Sequence, residues 1–435
     1  MKLLAIILLS LNAYSNPHPN ESLTPKDKLA GKKVDVISKI GISTPNKVGL
    51  PVIRVNLVKE HGLFVLKKSV IEYSATKNFY QKSSRLDSLG SFKASLTSSS
   101  NPKEKYYGSI GTGYNFASHA QGLSFRFPLI KGKSVLTIFG ENSDSGKLEQ
   151  VFSQTIDSNI LKEFIQNHGT NVSILKQSKA NPPILLNLYA EGYGDNESDR
   201  KRFYRGASSV IAGLKSFPSF DQFEIRAVFY PSNLELGSPK NLRTKIVRDS
   251  FLGLYYPYWS FEMGRWYNVV YPTDYTKLMD GFAQLPYDYA MVLIKSRGYW
   301  GMGNYNFFTA IPDANRSFTY LLHHEFGHFF GLQEEYSSGG TELLFGKNTV
   351  EPWSQNLTFQ GSARSFTKWA SLLKKGTPIP TTGRAFQLGV FRGGYAGVSK
   401  KSHIPAKNCT MGSGRAFCEV CAKAISRKIG IDQGK

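Results

Sequence analysis

The chain has 435 residues, of which 41% are hydrophobic and 20% are charged, as expected of a globular protein with room for two or three domains. Lysine and arginine number 54 against 32 aspartates and glutamates, so the formal net charge is +22 and attraction to anionic surfaces is expected. The basic residues are scattered and no nucleic-acid-binding motif accompanies them, which excludes a prediction of specific nucleic-acid binding.

The N-terminus predicts a secretory signal peptide over residues 1–15. Lys2 precedes an apolar stretch from Leu3 to Leu11, and Ala13 and Ser15 are small residues suited to a cleavage site. The stretch is too short to span a bilayer as a helix, and no later segment is apolar enough to do so. We therefore expect a secreted or periplasmic protein, although a short N-terminal core strand would explain the same stretch.

Residues 34–170 are predicted to form a β-sandwich-like N-terminal domain. Short β-branched or alternating runs lie there between glycines, prolines and charged residues. The segment from Lys93 to Lys105 is rich in serine and lysine and predicts a mobile loop. The domain shows no chemistry of its own, so it would either support the following domain or bind a target surface. Its predicted strands are Val52–Val58, Leu63–Leu66, Val70–Tyr73, Leu123–Phe127 and Ser134–Phe139.

The polar, proline-ended segment Lys176–Pro183 marks a domain boundary, and a second domain is predicted over residues 182–435. Strand and helix patterns alternate in it, which predicts an α/β (α+β) fold with a twisted mixed sheet and helices packed on it. A glycine-spaced segment, Gly298–Ala310, precedes a further helix. The other predicted elements are strand Ile184–Tyr189, a helix through Phe203, Ala207, Val210, Ile211 and Leu214, strand Phe223–Phe229 and strand Ala290–Ile294.

The most specific pattern is the HExxH sequence His324-Glu325-Phe326-Gly327-His328, on a helix predicted from about Ser317 to Phe330. Histidines four residues apart share a helix face, so both imidazoles can reach one metal ion with Glu325 beside them. Gly331 would end the helix in the left-handed conformation and turn the chain back, which makes Glu334 the third ligand. His323 points about a quarter-turn away from that face and is expected to be structural or to support the ligands, rather than to be a ligand itself.

Together these residues predict a zinc peptidase. Zinc accepts imidazole nitrogen and carboxylate oxygen, and three protein ligands leave one position for water. Zinc lowers the pKa of such a water to about 7, and Glu325 would accept its proton as the general base. The bare pattern also occurs in proteins that are not peptidases, but the glycine, the acidic third position and the apolar helix distinguish this chain.

Two features near the C-terminus are expected to support the site. Met411 lies in a glycine-rich turn and fits the methionine-bearing turn beneath the metal, although an ordinary core methionine is the alternative. Cys409 could form a disulfide with Cys418 or Cys421 and so tie this turn to the last helix. A redox pair or half a zinc site at Cys418 and Cys421 is less favoured, because no second cysteine pair completes a four-thiolate site.

The ordered motifs resemble those of the bacterial immunoglobulin A peptidase-type zinc metallopeptidases, a family of the metzincin clan. The resemblance implies a secreted endopeptidase with one catalytic zinc ion, in which His324 and His328 are metal ligands and Glu325 is the general base. It also implies that an edge strand binds extended substrate by strand addition. Its predicted contacts are Gly303, Asn304 and Tyr305. The landmarks are Tyr193–Asp195, Ala290–Ile294, Gly298, His324–His328, Glu334–Tyr336, Glu351–Trp353, Thr377–Pro380, Asn408–Met411 and Phe417–Cys421.

The chain departs from the family pattern near the predicted third ligand. Family members usually have Asp-Glu-Tyr where this chain has Glu334-Glu335-Tyr336, and the spacing from His328 is one residue shorter here. The third ligand is therefore open between Glu334 and Glu335, with Glu334 favoured on spacing. Arg392 and the segment Lys401–Pro405 also depart from the family pattern, which would alter substrate preference.

The expected partners are a protein or peptide substrate and an anionic cell-surface target, and we expect a monomer. Two other functions are compatible with the sequence. A metal-dependent hydrolase of cell-wall peptide would suit the basic surface. A catalytically silent binding protein could retain the fold, although the intact ligand set and base disfavour it.

Overall fold

A computed structural model describes residues 50–74, 89–111, 122–142, 147–164, 172–181, 183–232, 250–255, 258–260, 265–267, 270–272, 274–298, 301–336, 351–361, 363–383, 387–395 and 401–432. The predicted signal peptide lies outside these residues. No helix in the described part is both long and apolar enough to cross a membrane.

The described residues form a mixed α and β structure with several sheets and four α-helices. The helices are α1 (Glu197–Leu214), α2 (Tyr275–Phe282), α3 (Phe318–Phe329) and α4 (Glu419–Asp432). The strands are β1 (Leu50–Glu60), β2 (Leu63–Ser74), β3 (Phe92–Ser98), β4 (Lys105–Ile110), β5 (Gly122–Pro128), β6 (Lys133–Glu141), β7 (Leu148–Asp157), β8 (Val172–Lys176), β9 (Ile184–Glu191), β10 (Phe223–Val228), β11 (Leu254–Tyr255), β12 (Tyr258–Ser260), β13 (Arg265–Tyr267), β14 (Tyr271–Pro272), β15 (Tyr289–Ile294), β16 (Met302–Gly303), β17 (Thr309–Pro312), β18 (Phe391–Arg392) and β19 (His403–Ile404).

Two antiparallel sheets occupy the region before residue 165. One has the order β2-β1-β5, and the other has the order β4-β3-β6-β7. Alternate side chains of both sheets meet in one hydrophobic cluster, which includes Val55 from the first sheet and Leu96 and Leu136 from the second. The strands predicted at Leu63–Leu66 and Val70–Tyr73 are parts of one strand, β2.

The prediction of a mobile loop from Lys93 to Lys105 is wrong. Most of that segment is β3, which pairs with β4 on one side and β6 on the other. Phe92, Ala94 and Leu96 alternate along β3 and are fully buried. The serine and lysine content hid this two-residue period, because small polar side chains are also accommodated on a strand between two neighbours.

A six-stranded sheet, in the order β16-β17-β15-β9-β10-β8, organises the rest of the described chain. The four central strands, β17, β15, β9 and β10, are parallel to one another. The edge strands β16 and β8 run antiparallel to their neighbours. The sheet is therefore mixed, as predicted. Since β8 begins at Val172, this sheet includes residues that precede the predicted domain start at residue 182.

Both faces of this sheet are covered. Along β15, Met291 and Leu293 pack in a cluster with residues of α1 and α3, such as Val210 and Phe326. The intervening Val292 packs in a second cluster with residues of α2. The strands β9 and β15 are buried along their whole length, which is why their sequences are almost entirely apolar apart from Asn187 and Glu191 of β9.

Hydrogen bonds and ion pairs connect the N-terminal sheets to the six-stranded sheet and its helices. The buried Arg54 of β1 forms ion pairs of 2.6 Å with Glu72 of β2 and with Asp280 of α2. The amide of Gly111 donates to the carbonyl of Tyr305 at 3.0 Å. These contacts place the N-terminal sheets next to the loop that follows β16.

Candidate metal centre

Helix α3 carries the HExxH residues and lies on the six-stranded sheet. Its bounds, Phe318–Phe329 with Ser317 preceding the first turn, agree with the predicted helix within one residue at each end. Leu322, Phe326 and Phe329 bury one side of the helix in the core cluster shared with α1. This packing leaves the opposite side of the helix to the residues that follow it in the chain.

His324 and His328 point toward each other from successive turns, and their Nε2 atoms are 3.2 Å apart. Main-chain carbonyls fix both rings: His324 Nδ1 donates to Thr410 at 3.0 Å, and His328 Nδ1 donates to Leu332 at 2.7 Å. A neutral imidazole has one N–H, so both Nε2 atoms present lone pairs to the same space. These are the tautomers that metal-binding histidines require.

The two imidazoles are neutral at physiological pH. Burial, and then the neighbouring His328, lower the pKa of His324 to about 4. Burial also lowers the pKa of His328 to about 4. Because a cation competes with protons for a ligand nitrogen, these low pKa values favour cation binding at neutral pH.

A sharp turn after α3 brings the predicted third ligand to the histidines. Gly331 has φ +86°, the left-handed conformation predicted for it, and its amide bonds to His328 O at 2.9 Å. The chain then reverses, and Glu334 Oε1 lies 3.3 Å from His328 Nε2. Glu335 points away from the histidines, and its Oε1 lies 3.0 Å from Cys421 Sγ. Of the two candidate third ligands that the sequence left open, Glu334 is therefore the one whose carboxylate lies next to the histidines.

The three side chains His324, His328 and Glu334 suit a zinc ion. Their ligand atoms all lie within 4.8 Å of one another, and all three residues are buried. Two nitrogens bonded to zinc at about 2.0–2.1 Å with a tetrahedral angle lie about 3.3 Å apart, close to the observed 3.2 Å. Facing lone pairs without a proton between them repel each other, and a cation between them would relieve this repulsion.

Glu325 is buried beside this ligand set. Burial, and then the charge of Glu334, raise the pKa of Glu325 well above its ordinary value, whereas a hydrogen bond from the Gly303 amide opposes the shift. A bound cation would also oppose it. A methyl group added at Gly301 would lie 2.3 Å from Glu325 Oε1, so this side chain is pressed directly against the glycine-rich segment.

The predicted substrate contacts lie on and after β16, which is the edge strand of the sheet. Gly303 packs against α3 so closely that an added Cβ would lie 2.1 Å from Glu325 O. The Asn304 amide bonds to Phe308 O at 3.0 Å, and the Tyr305 ring is buried against Trp353 at a centroid distance of 5.5 Å. Their role in substrate binding stays a prediction.

Met411 packs against α3 at Gly327, and its role as the methionine of the predicted turn beneath a metal stays a prediction. Its sulfur would be 2.6 Å from a Cβ added at Gly327, so glycine is needed for this close approach. The adjacent Thr410 supplies the carbonyl that orients His324. His323, predicted to be structural, bonds instead to Gly213 O at 2.8 Å, on the other side of the helix.

Three contributors to the site were not predicted. The carbonyls of Thr410 and Leu332 accept hydrogen bonds from the two imidazoles. Every residue has a main-chain carbonyl, so the amino-acid sequence does not show which ones form such contacts. Tyr320 stacks on His324 at a centroid distance of 5.5 Å, and its hydroxyl bonds to Gly412 O at 2.5 Å. Tyr320 lies four residues before His324, so the same helical spacing that linked the two histidines could have identified it.

The predicted disulfide partners lie close together. Cys409 and Cys421 are buried, Cys418 is half-buried, and all three are free thiols. Cys409 Sγ lies 3.7 Å from Cys421 Sγ and accepts a hydrogen bond of 3.3 Å from the Cys418 amide.

Comparison with known proteins gives one family. The sequence model of the family described as IgA Peptidase M64 matches residues 172–385. The match begins at β8 and includes α3 and Glu334. No curated protein matches the chain.

Proposed function

Over residues 172–385 this chain belongs to the IgA Peptidase M64 family, and from that premise we propose that it is a secreted zinc-dependent endopeptidase. Family membership supports a peptidase with a metal centre. The observation that carries the proposal is the convergence of the His324 and His328 Nε2 atoms to 3.2 Å, with the buried carboxylates of Glu325 and Glu334 near them. One of these carboxylates, Glu334, completes a ligand set, and the other, Glu325, is available for proton transfer.

In the proposed mechanism, His324, His328 and Glu334 would hold the ion as its three protein ligands. When bound, zinc supplies Lewis-acid polarisation of a carbonyl and lowers the pKa of an adjacent water to about 7. The Thr410 and Leu332 carbonyls keep the imidazoles in the required tautomer and orientation. No rotation of these rings is needed before the ion binds.

Glu325 is the proposed general base. It accepts a proton from the attacking water and returns that proton to the amine that leaves. Its burial beside the Glu334 carboxylate of the ligand set matches this task, because burial raises the proton affinity of a carboxylate. The amide of Gly303 donates to the same carboxylate and holds it in place.

We further propose that substrate binds along β16 as an added strand, near Gly303, Asn304 and Tyr305. Within the described residues β16 pairs only with β17, so its other edge faces away from the sheet. Peptide recognition by strand addition relies on such an edge. The region before residue 165, with its two antiparallel sheets, is proposed as a separate β-rich domain attached to a metzincin-like catalytic domain.

The test is hydrolysis of a diverse peptide mixture by the purified chain, followed by mass spectrometry. Glu325→Gln should retain the ion but reduce hydrolysis by at least about 1,000-fold, since it removes the general base and leaves the ligands in place. A chelator should abolish hydrolysis by the native chain, and zinc should restore it. The control is Glu197→Gln, an exposed glutamate of α1, which should behave as the native chain. Hydrolysis by Glu325→Gln at the native rate would eliminate the proposed base.

The net charge of +22 favours a second candidate, a hydrolase of cell-wall peptide that uses the same residues. Digestion of purified peptidoglycan beside denatured protein separates the two functions. Release of peptides from the wall alone would replace the endopeptidase proposal with this one.

A further inference from the structure

A second group of potential metal ligands lies on the other side of the Met411 turn from the histidines. Cys421 Sγ is 3.7 Å from Cys409 Sγ and 3.0 Å from Glu335 Oε1. The four ligand atoms of the group all lie within 4.8 Å of one another. This cysteine–glutamate cluster consists of Glu335, Cys409, Cys418 and Cys421.

The spacing of the sulfurs suits a tetrahedral ion. Two thiolates bonded to zinc at about 2.3 Å with a tetrahedral angle lie about 3.8 Å apart, and the observed separation is 3.7 Å. The Cys418-x-x-Cys421 spacing places one thiol on the residue just before α4 and the other on its first turn, and this spacing is common in structural zinc sites. The third thiol, Cys409, reaches the same point from the turn before Met411.

Glu335 provides the fourth ligand of this site, which has only three cysteines. Its carboxylate is buried, and Oε1 accepts a hydrogen bond of 2.9 Å from Asn356 Nδ2. Its Oε2 is also buried and has no hydrogen-bond partner among the described residues. A buried carboxylate among thiols is costly unless a cation compensates its charge.

We propose that the cysteine–glutamate cluster binds a second zinc ion with a structural role. Four protein ligands close the coordination shell, so no position remains for water or substrate. The ion would join the chain after α3 to the Met411 turn and to α4. It would thereby brace the turn that orients His324, because the Glu335 amide already bonds to Met411 O at 2.7 Å.

The experiment is zinc analysis of the purified full chain, prepared with a reductant, by plasma mass spectrometry. The native chain should hold about two zinc ions. The variant with both His324→Ala and His328→Ala should hold about one, and X-ray absorption of that variant should show sulfur neighbours at about 2.3 Å. The variant Cys418→Ser should lose the sulfur signal, and with it about one zinc ion per chain. With cobalt in place of zinc, the double histidine variant should show thiolate-to-cobalt charge-transfer bands.

The proposal would be overturned by a double histidine variant that folds but contains no zinc. It would equally be overturned if the intact mass of the native chain showed two hydrogens fewer and only one thiol reacted, since a disulfide would then occupy the cluster. If Cys418→Ser fails to fold, the double histidine variant still decides the question. Failure of the native chain to cleave peptides would leave these zinc counts unchanged, so the two proposals fail separately.

Discussion

At the scale of single residues, the geometry of the candidate site depends on where main-chain atoms lie. Leu332 O holds His328, and Thr410 O holds His324. Both carbonyls lie in turns that depend on glycine. Gly331 precedes Leu332, and Gly414 follows Thr410 and leaves no space for a Cβ next to Asn408. Gly331 takes φ +86°, and the turn that it starts carries Leu332 and Glu334 back to the histidines. A change at this glycine should therefore affect stability and cation binding together.

Gly331→Ala should lower the free energy of unfolding by about 1–2 kcal/mol, because a left-handed conformation is unfavourable for any residue with a Cβ. The new Cβ would also lie 3.3 Å from side-chain atoms of Leu89 and Tyr305. Urea denaturation measures the loss, and competition with a chromophoric chelator should show weaker zinc binding.

The matched control is Gly430→Ala in α4, where nothing lies within 4 Å of an added Cβ. That variant should be neutral or up to about 1 kcal/mol more stable. Equal effects of the two substitutions would contradict the role given to the turn.

At the scale of elements, α1 illustrates how local signals start a helix that supports the site. Asn196 caps α1 by accepting a hydrogen bond of 2.9 Å from the Asp199 amide. The Asp199 carboxylate accepts a bond of 2.7 Å from Gly194 N and forms an ion pair of 3.0 Å with Lys295, just after β15. Burial raises the pKa of Asp199, but these hydrogen bonds outweigh burial and hold the pKa below its usual value.

The lowered pKa of Asp199 makes the stability of α1 dependent on pH. A carboxyl group whose pKa is lower in the folded state stabilises the protein above its unfolded pKa of about 3.9, and this contribution is lost as the pH falls. Asp199→Asn should therefore cost about 2 kcal/mol of unfolding free energy at neutral pH and progressively less below about pH 4. Urea denaturation at several pH values measures the difference.

Asp221→Asn, at an exposed carboxylate paired with Lys179, is the control and should change the free energy of unfolding little. A deficit that stays constant down to pH 3 would show that charge is not the cause.

At the scale of the whole molecule, the N-terminal sheets are joined to the rest of the described chain by a buried charge network. Arg54 is fully buried in β1 and bonds to Glu72 and Asp280, each at 2.6 Å, and Lys68 reaches the same aspartate. Asp280 belongs to α2, which packs on the six-stranded sheet. One arginine therefore links two N-terminal strands to a helix of the candidate catalytic region.

Arg54→Ala should destabilise the chain by about 3–5 kcal/mol, because it leaves the buried Glu72 without a compensating charge. Thermal and urea unfolding measure the loss, and limited proteolysis should then release the region before residue 165. Lys67→Ala, in β2, breaks an exposed ion pair with Glu60 of β1 and should cost less than about 1 kcal/mol. If both variants were equally stable, the arginine would not be what holds the two regions together.

The sequence was sufficient for the central strands β9, β10 and β15 of the six-stranded sheet and for the site helix, whereas β8 and β17 were not predicted. Continuous apolar runs predicted β9 and β15, and the 3.6-residue period predicted α1, because each pattern follows directly from the face that an element buries. The same approach failed at β3, where alternate apolar residues are diluted by serine and lysine. A strand of that composition is stabilised by its two neighbours, and those neighbours are distant in the sequence.

Residue type and spacing alone placed two imidazoles and a carboxylate on one helix, because helical geometry is local. Spacing favoured Glu334 over Glu335 as the third ligand but left both open, because the path of the turn after the helix decides which side chain faces the histidines. The folded chain directs Glu334 to His328 and Glu335 to Cys421. It also brings Glu335 to Cys409, Cys418 and Cys421, a grouping that residue type and spacing did not predict. Ligands that come from distant segments meet only when packing has fixed the turns between them.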